Sequence, residues 1–391
     1  MLFAKDRFND MKKSLKVAIV CDWLTGIGGA ERVVYELHRL FPEAPIYTSQ
    51  YDDNPKLWYG LNWTRDADIR TTRLQRLPKS LKKFLPVLRA FSFSRLDLSE
   101  YDLVISSSGA EAKAVKTGPQ TLHICYCHSP THYYWSRYGE YLQQPGFTYG
   151  TNWIARIGLK LLVAPLRQWD RRAAKRPDIM VANSTHTQEM IAKYYRRDSV
   201  VIHPPVEVDR FKIRAGSTTS PAGRHGFVVA GRQTPYKRID LAVLACSELK
   251  LPLVVIGNGP EHKKLEKLAG RSVTFLTSAS EEDIVKHFQS ALALIFPTNV
   301  EDFGVTPIEA MAAGTPVIAY HKGGPLDYII PNKTGLFFER QTVKSLVKAI
   351  GEFNPNRFDH KKLADYSEQF STDQFAKKFS ELVSRSLQQK G

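Results

Sequence analysis

Short apolar runs alternate with amphipathic stretches along most of this chain. Residues 16–21 read Lys-Val-Ala-Ile-Val-Cys, a β-branched run that is typical of a buried parallel strand. A loop with Gly26, Gly28 and Gly29 follows, and residues 30–40 then carry apolar side chains at helical spacing. A strand, a glycine loop and a helix in this order predict the opening of a Rossmann-like unit. Further buried strands are expected at residues 103–106, 123–127 and 179–182.

The alternation is clearest in the second half of the chain. Residues 214–226 are small, polar and rich in glycine, which predicts an exposed loop. Beyond this loop we expect strands at 227–230, 253–256, 273–276, 292–296 and 317–319, and helices at 239–249, 261–269, 281–290 and 307–313. The pattern predicts an α/β fold of two Rossmann-like domains that face each other across a cleft. Ligands of such sheets bind at the carboxyl ends of the strands.

Two carboxylates flank a predicted helix start in the second half. Glu301 lies in a loop after a predicted strand, and Glu309 lies in the first turn of the next helix. Thr306 is expected at the N-cap, Pro307 at the first helical position, and Gly314 at the end of the helix. The free N–H groups of such a start attract anions. Carboxylates suit sugar or ribose hydroxyls because they accept hydrogen bonds from vicinal donors.

Both carboxylates also have a purely structural interpretation. Thr306 and Glu309 have the spacing of a capping box, and Glu301 alone is compatible with a solvated loop charge. The wider pattern of residues favours the functional interpretation.

The run from Glu301 to Gly314, EDFGVTPIEAMAAG, resembles the E-x7-E signature of retaining GT-B glycosyltransferases of family 4. In that family the first glutamate contacts the donor sugar and the second binds the nucleotide ribose. The resemblance implies these roles for Glu301 and Glu309. It also implies donor-binding residues along the loop: Asp302, Phe303, Gly304 and Val305. The commonest form has glycine at position 302, and the departure seen here also occurs in the family.

The resemblance extends to Arg232 and Lys237, which follow the predicted strand at 227–230 in a pattern similar to the family's G-R-x4-K loop. These cations are implied to neutralise the donor diphosphate, which fixed charges can do without a metal. The alternative, a basic helix start on the surface, puts cations at the unfavourable helix end. The Gly-Asn-Gly-Pro turn implies Gly257 as a further donor contact, although glycine also suits a tight turn.

The loop that ends at Gly324 (AYHKGG) resembles the family's loop after the next strand. Its pair of glycines, Gly323 and Gly324, is expected to approach the donor closely.

The first domain offers a second group of candidates. The loop with Gly28 and Gly29 resembles the family's first glycine loop, in which backbone N–H groups reach phosphate at a helix start. Asp22 ends the first strand and is expected on the acceptor side. His128 matches a family position close to the donor sugar, with a hydrogen-bonded loop histidine as the alternative. Ser184 matches a family position near the diphosphate.

Charge narrows the class of partner. The chain has 55 Lys and Arg against 39 Asp and Glu, a formal net charge of +16, which favours an anionic partner. Residues 73–91 carry Leu and Phe at helical spacing with Arg and Lys between them, as in a basic segment that lies on an anionic membrane. Pro86 counts against one straight helix there. A second basic stretch covers 156–176, and the alternative for both is a core helix with a solvated basic face.

The cysteines and nearby histidines raise the question of a metal. His123, Cys125, Cys127 and His128 lie close together, but a zinc site usually recruits a second ligand pair further along the chain. No such cysteine pair follows, so these are expected to be buried strand residues. The cysteines are expected to be reduced.

The sequence thus predicts domains at 1–205, which binds the acceptor, and 206–371, which binds the nucleotide sugar. The resemblance adds a C-terminal helix at 372–391 that crosses back onto the first domain. We expect a hexosyltransferase that requires no metal cofactor and transfers mannose from GDP-mannose to a lipid-linked saccharide in cell-surface polysaccharide biosynthesis. A UDP- or ADP-sugar donor and a nucleotide-sugar epimerase are the alternatives.

The expected location is cytoplasmic, peripheral on the inner face of the cell membrane, because no apolar run approaches the roughly 18 residues of a spanning helix. A nucleic-acid partner is not expected, since the charge is not accompanied by a motif of interleaved aromatic and basic residues.

Overall fold

The computed structural model describes residues 15–54, 58, 62–77, 85–143, 152–212 and 223–390. The chain divides into two compact units. The first contains the residues up to His203 together with those from Ala376 onward, and the second runs from Pro204 to Phe375. Most of the loop predicted at 214–226 lies outside the described residues.

The first unit is built on a parallel sheet that has seven strands in the described residues. The strands are β1 (Val17–Cys21), β2 (Ile46–Thr48), β3 (Ile69–Thr71), β4 (Leu103–Ser108), β5 (Leu122–Cys127), β6 (Ile179–Ala182) and β7 (Val200–Val201). Their order across the sheet is β3-β2-β1-β4-β5-β6-β7. The helices are α1 (Gly29–Leu40), α2 (Leu85–Arg95), α3 (Tyr138–Gln143), α4 (Asn152–Ala173) and α5 (Thr185–Tyr195).

The second unit repeats this architecture with six parallel strands in the part of the chain that is described. They are β8 (Phe227–Ala230), β9 (Leu253–Ile256), β10 (Val273–Leu276), β11 (Ala293–Phe296), β12 (Val317–Tyr320) and β13 (Gly335–Phe338), in the order β10-β9-β8-β11-β12-β13. Its helices are α6 (Val208–Phe211), α7 (Ile239–Leu249), α8 (His262–Leu268), α9 (Glu281–Ser290), α10 (Val305–Ala312), α11 (Val343–Glu352) and α12 (His360–Ser367). The last helix, α13 (Thr372–Lys390), begins in the second unit and belongs to the first unit from Ala376 onward.

Alternating side chains explain why the central strands of the second sheet, β8 and β11, are buried on both faces. Val228 and Leu294 belong to one apolar core, whereas Phe227, Val229 and Ile295 belong to the core on the other face. A parallel sheet requires such double cover because its crossover helices lie on both faces. The expected pair of Rossmann-like sheets is confirmed.

The order of the strands identifies where each unit can bind a ligand. Consecutive crossovers run in opposite directions from β1 and β4 in the first sheet, and from β8 and β11 in the second. The loops after such neighbouring strands diverge and leave a crevice at the carboxyl edge of the sheet. The residues that follow these four strands are therefore the ones to compare with the predicted sites.

Some predicted boundaries differ from the observed ones. The helix predicted at 307–313 is α10 and begins two residues earlier, at Val305. The strand β13 was not predicted, and its Gly335 explains why. A Cβ there would lie 2.1 Å from the carbonyl oxygen of Val317, so β13 and β12 can pack this closely only with glycine at position 335. Glycine is uncommon inside strands, and it therefore hides the strand in the sequence pattern.

Candidate active site

Two loops at the carboxyl edge of the second sheet bring the predicted catalytic pair together. Lys237 ends a short 3₁₀ turn after β8, and Glu301 lies in the loop after the neighbouring strand β11. The Lys237 Nζ lies 2.5 Å from Glu301 Oε2. About a fifth of each side chain is exposed, 20% and 21% respectively. The ion pair is thus mostly buried yet open to a ligand from the edge of the sheet.

Arg232 lies in the same loop as Lys237 but is exposed. Within the described ranges, its guanidinium has no hydrogen-bond or ion-pair partner. A charged side chain at the crevice of the sheet, held by nothing in the fold, is available to a ligand. The loop therefore carries one cation paired with a carboxylate and one that faces solvent.

The loop that carries Arg232 is held by Gln233, a fully buried side chain that the sequence did not single out. Its Nε2 donates to the carbonyl oxygen of Gly257 at 2.7 Å, and its Oε1 is hydrogen-bonded to His262. Gly257 has φ of 113°, and a Cβ there would lie 2.4 Å from the Gly231 carbonyl oxygen. The Gly-Asn-Gly-Pro turn therefore packs directly against the cationic loop, which requires glycine.

Gly304 shapes the carboxylate loop. Its φ is 88°, and an added Cβ would lie 2.8 Å from the Tyr328 hydroxyl. That hydroxyl donates to the carbonyl oxygen of Phe303 at 2.8 Å, and Tyr328 is fully buried. The Phe303 ring is also buried and packs 5.4 Å from the Tyr328 ring. Of the predicted donor contacts, the Phe303 ring is thus part of the core, while Asp302 and Val305 are partly exposed.

The glycines near the next strand serve the same loop. A Cβ at Gly323 would lie 2.5 Å from the carbonyl oxygen of Glu301, and one at Gly324 would lie 2.3 Å from the Phe303 Cα. The Gly324 N–H also donates to the Glu301 carbonyl oxygen at 2.8 Å. Both glycines therefore pack closely against the loop of Glu301, and their approach to the donor stays a prediction.

The structural interpretation of Glu309 as part of a capping box is wrong. Because α10 begins at Val305 with Gly304 as its N-cap, Thr306 lies inside the helix and cannot be the cap. Glu309 is the fifth helical residue and is partly exposed. The prediction that Gly314 ends this helix is confirmed. Gly314 has φ of 70°, and its N–H donates to the Met311 carbonyl oxygen at 2.8 Å.

At the carboxyl edge of the first sheet, Asp22 is used by the fold. Its carboxylate accepts hydrogen bonds from the backbone N–H groups of Gly109, Ala110 and Ala112 at 2.7–2.9 Å, and only 7% of the residue is exposed. It thereby joins β1 to the turn that follows β4. The expected contact of Asp22 with an acceptor hydroxyl stays a prediction, and its observed partners give it a structural role.

His128 follows β5 and is partly exposed. Its Nε2 is hydrogen-bonded to the Ser107 hydroxyl at 2.7 Å, and its carbonyl oxygen accepts from the Asn183 side chain at 2.9 Å. Ser184 follows Asn183 at the end of β6 and is fully buried. Its hydroxyl accepts a hydrogen bond from the Thr187 N–H, which makes Ser184 the N-cap of α5. The fold therefore presents His128 at the edge of the sheet, while the Ser184 hydroxyl caps a helix.

The first glycine loop leads into α1, with Gly28 as its N-cap and Gly29 as its first residue. Glu31 bends back toward this start, since a Cβ at Gly28 would lie 2.9 Å from Glu31 Oε2. Burial raises the pKa of Glu31 from 4.5 to about 7, although the backbone N–H groups of Glu31 and Gly28 lower it. The N-terminus of α1, where the sequence predicted a phosphate, thus lies beside the carboxyl group of Glu31.

Comparison with known proteins assigns both units. Residues 27–210 match the family model described as Glycosyltransferase Family 4, and residues 212–370 match Glycosyl transferases group 1. The chain belongs to the GT-B glycosyltransferases of family 4. It is 24% identical to the alpha-1,3/1,6-mannosyltransferase ALG2 of Dictyostelium discoideum over 93% of this chain and 96% of that protein.

This GT-B protein is also 32% identical to a GDP-mannose-dependent alpha-mannosyltransferase of Mycolicibacterium smegmatis, over 44% of this chain and 47% of that protein. It spans about half the length of most of the curated relatives it matches. The crystal structure of Anabaena Alr3699/HepE in complex with UDP and glucose superimposes with a TM-score of 0.66 at 16% identity. That superposition covers 95% of this chain and 99% of the other, and it supports the fold.

The GT-B protein contains a buried ionic network that the sequence did not reveal. Arg89 Nε lies 2.7 Å from Glu111 Oε2, and Lys113 Nζ lies 2.7 Å from Asp170 Oδ1. All four side chains are at least nine-tenths buried. Burial raises the pKa of Glu111, although Arg89 lowers it. Glu111 and Lys113 lie in the turn that Asp22 holds, so the network ties this turn to α2 and α4.

Arg89 corrects one feature of the predicted amphipathic segment. The pattern at 73–91 puts it among basic residues that face a membrane, but it is paired inside the unit. Pro86 is the second residue of α2, where proline is tolerated. Phe91 is 56% exposed. Residues 78–84 lie outside the described part of the chain.

The remaining cysteine and histidine candidates of the GT-B fold are core residues. All four cysteines are buried thiols, and none of them is in a disulfide bond. Burial lowers the pKa of His123 to about 3. Within the described ranges, no group of three or more His, Cys, Asp or Glu side chains is arranged to hold a metal ion. None of the helices among the described residues is long and apolar enough to cross a membrane.

One cavity of the second unit is not lined by residues of these loops. It measures about 740 Å³ and is lined by Arg224, Leu292 and His360, among others. Arg224 and Leu292 precede β8 and β11, so the cavity lies at the amino edge of the sheet. The candidate site lies at the carboxyl edge, which is where ligands of such sheets bind.

Proposed function

We propose that the protein is a glycosyltransferase whose second unit binds a nucleotide diphosphate sugar. The observation that carries this proposal is the Lys237–Glu301 pair, 2.5 Å apart at the carboxyl edge between β8 and β11. A diphosphate needs cations, and a sugar needs hydrogen-bond acceptors for its hydroxyls. This edge offers both, together with the exposed guanidinium of Arg232 and the N-terminus of α10.

The pairing suggests how binding changes the site. Without donor, Glu301 neutralises Lys237. When a diphosphate enters, Lys237 exchanges this partner for phosphate oxygen, and the Glu301 carboxylate becomes available to a sugar hydroxyl. Glu309, partly exposed in α10, accepts the hydroxyls of the ribose.

Transfer then requires cleavage of the bond between the anomeric carbon and the phosphate oxygen. The electron pair leaves with the diphosphate, whose charge Arg232 and Lys237 stabilise without a metal cofactor. The acceptor hydroxyl oxygen bonds to the anomeric carbon on the same face. Its proton passes to an oxygen of the leaving diphosphate, so that the configuration of the sugar is retained.

For the donor we propose GDP-mannose. Three similar proteins are named as mannosyltransferases, and two of them as GDP-mannose-dependent. The proposal for the acceptor is a lipid-linked saccharide of cell-surface polysaccharide biosynthesis. Since such an acceptor is anchored in a membrane, the enzyme would work on the inner face of the cell membrane.

A surface of the first unit supports the membrane part of this proposal. In α4, Trp153, Ile157 and Leu161 recur every four residues and are 60%, 49% and 72% exposed. Arg156 and Lys160 lie between them, also exposed, and residues 152–169 contain no Asp or Glu. An exposed stripe of Trp and aliphatic residues with adjacent cations is suited to the interface of an anionic bilayer.

A turnover assay with GDP-mannose, UDP-glucose, UDP-galactose and ADP-glucose tests the reaction. We expect GDP-mannose to be consumed with formation of an α-mannoside when membrane lipid extract is supplied as acceptor. Turnover of a UDP- or ADP-sugar instead would change the donor. Conversion of the donor into another nucleotide sugar without acceptor would indicate an epimerase and contradict the proposal.

A further inference from the structure

Trp23 occupies a position at the carboxyl edge of the first sheet that the sequence did not mark. It is the second residue after β1 and lies between Asp22 and Leu24, which are 7% and 0% exposed. Trp23 itself is partly exposed. The strand beside β1 is β4, so the indole lies at the point where the crossovers diverge, the usual position of a ligand in such sheets.

One face of this indole is clamped from inside the unit. The Arg89 guanidinium lies 4.7 Å from the centroid of the ring. Arg89 is in turn fixed by Glu111 Oε2 at 2.7 Å and by the Tyr133 hydroxyl at 3.4 Å. Because Glu111 balances the charge of Arg89, the ring rests on a neutral, buried ion pair. Such a support orders the indole before any ligand arrives, which lowers the entropy cost of binding.

Trp23 is not fully covered by the fold, which leaves part of the residue open to a ligand. A planar aromatic face carries negative charge density, whereas the C–H groups on the face of a pyranose carry slight positive charge. We propose that Trp23 is a stacking platform for a sugar ring of the acceptor. The inference rests on the proposed transferase function and adds a residue of the acceptor site to it.

The test uses the full-length protein, GDP-mannose, and a panel of soluble acceptors: octyl α-mannoside, octyl β-glucoside and octyl β-galactoside. Trp23→Leu removes the ring, and Trp23→Phe retains a smaller one. With the best acceptor we expect Trp23→Leu to raise the acceptor KM about two- to tenfold, the range of an aromatic stacking contact. Trp23→Phe should have a smaller effect. The donor KM and the slow hydrolysis of donor without acceptor should stay at wild-type values.

Trp169→Leu is the matched control, since Trp169 is a partly exposed tryptophan of the same unit, bonded to Ser94 on α2. It should leave the acceptor KM unchanged. An unchanged acceptor KM in Trp23→Leu would overturn the inference, as would an equal rise in the donor KM. Wild-type protein that hydrolyses GDP-mannose but uses none of the three glycosides also counts against it. Failure to consume any nucleotide sugar contradicts the proposed function instead.

Discussion

The ammonium of Lys237 and the carboxylate of Glu301 lie 2.5 Å apart, although 64 residues separate them in the chain. Their loops follow β8 and β11, which are neighbours in the sheet without being consecutive in sequence. The pair is the point at which a cationic loop and a carboxylate loop of the second unit meet. Because the pair is mostly buried, each charged group is stabilised by the opposite charge of its partner.

Removal of the cation should therefore reduce transfer strongly. We expect Lys237→Ala to lower kcat about 100-fold, the usual effect of losing one group that stabilises transition-state charge. Glu309→Ala should mainly raise the donor KM. Steady-state kinetics with GDP-mannose measures both. Lys348→Ala, at an ammonium whose side chain is 76% exposed, is the control. Near-wild-type rates in both site variants would contradict the assignment of the site.

Gly304 should tolerate no side chain. Its φ of 88° and the Tyr328 hydroxyl, 2.8 Å from an added Cβ, both oppose one. We expect Gly304→Ala to lower the free energy of unfolding by about 1–3 kcal/mol. Denaturant titration measures this change. Gly351→Ala is a matched control in α11 with open space around the added Cβ, and it should stabilise the protein by about 0.5–1 kcal/mol.

The pKa of Glu31 predicts a dependence of stability on pH. In the folded protein this pKa is about 7, raised by burial from 4.5. Between these values the folded state binds more protons than the unfolded chain, so the free energy of unfolding should fall as the pH rises through this window. Glu31→Gln should remove this part of the slope. Denaturant titrations at several pH values across the window measure this dependence, with Glu189→Gln, at an exposed side chain, as the control. The same dependence of unfolding free energy on pH in wild type and Glu31→Gln would contradict the prediction.

The Lys113–Asp170 pair should be costly to break from one side. Burial lowers the pKa of Lys113, but Asp170, Tyr195 and Cys127 together more than offset this, and the pKa lies well above its usual value. Lys113→Met leaves a buried carboxylate without its cation and should cost about 3–5 kcal/mol of stability. The double variant Lys113→Met/Asp170→Leu should cost less than the two single variants together. Additive losses in a double-mutant cycle would show that the two charges are not coupled.

Membrane binding should depend on the exposed stripe of α4. Replacement of Trp153 and Leu161 by Ser removes two large apolar groups, 60% and 72% exposed, and should weaken binding to anionic vesicles at least about tenfold. Vesicle sedimentation measures this. Val200→Ser, at an exposed apolar residue of β7, is the control. Equal binding of all three proteins, or binding that is indifferent to anionic lipid, would argue against this surface.

Much of this protein follows from its sequence. The strands at 227–230, 253–256 and 273–276 are where the pattern predicts them, because each is a short apolar run between amphipathic helices. The resemblance to family 4 identified Lys237 and Glu301, which the structure then brings together. The start of α10 could not be predicted correctly from the sequence. Thr306 and Pro307 have the pattern of an N-cap and a first helical residue, but the observed N-cap is Gly304.

What the tertiary structure decided is which polar groups the fold uses for itself. Asp22 and Ser184 are ordinary strand-end candidates in sequence, yet one holds a backbone turn and the other caps a helix. Arg89 looks like a surface cation, yet it is buried on Glu111 beneath Trp23. Local patterns determine strands and helices because those depend on neighbours in the chain. The burial and pairing of a charge depend on residues far away in sequence, so only the folded chain reveals them.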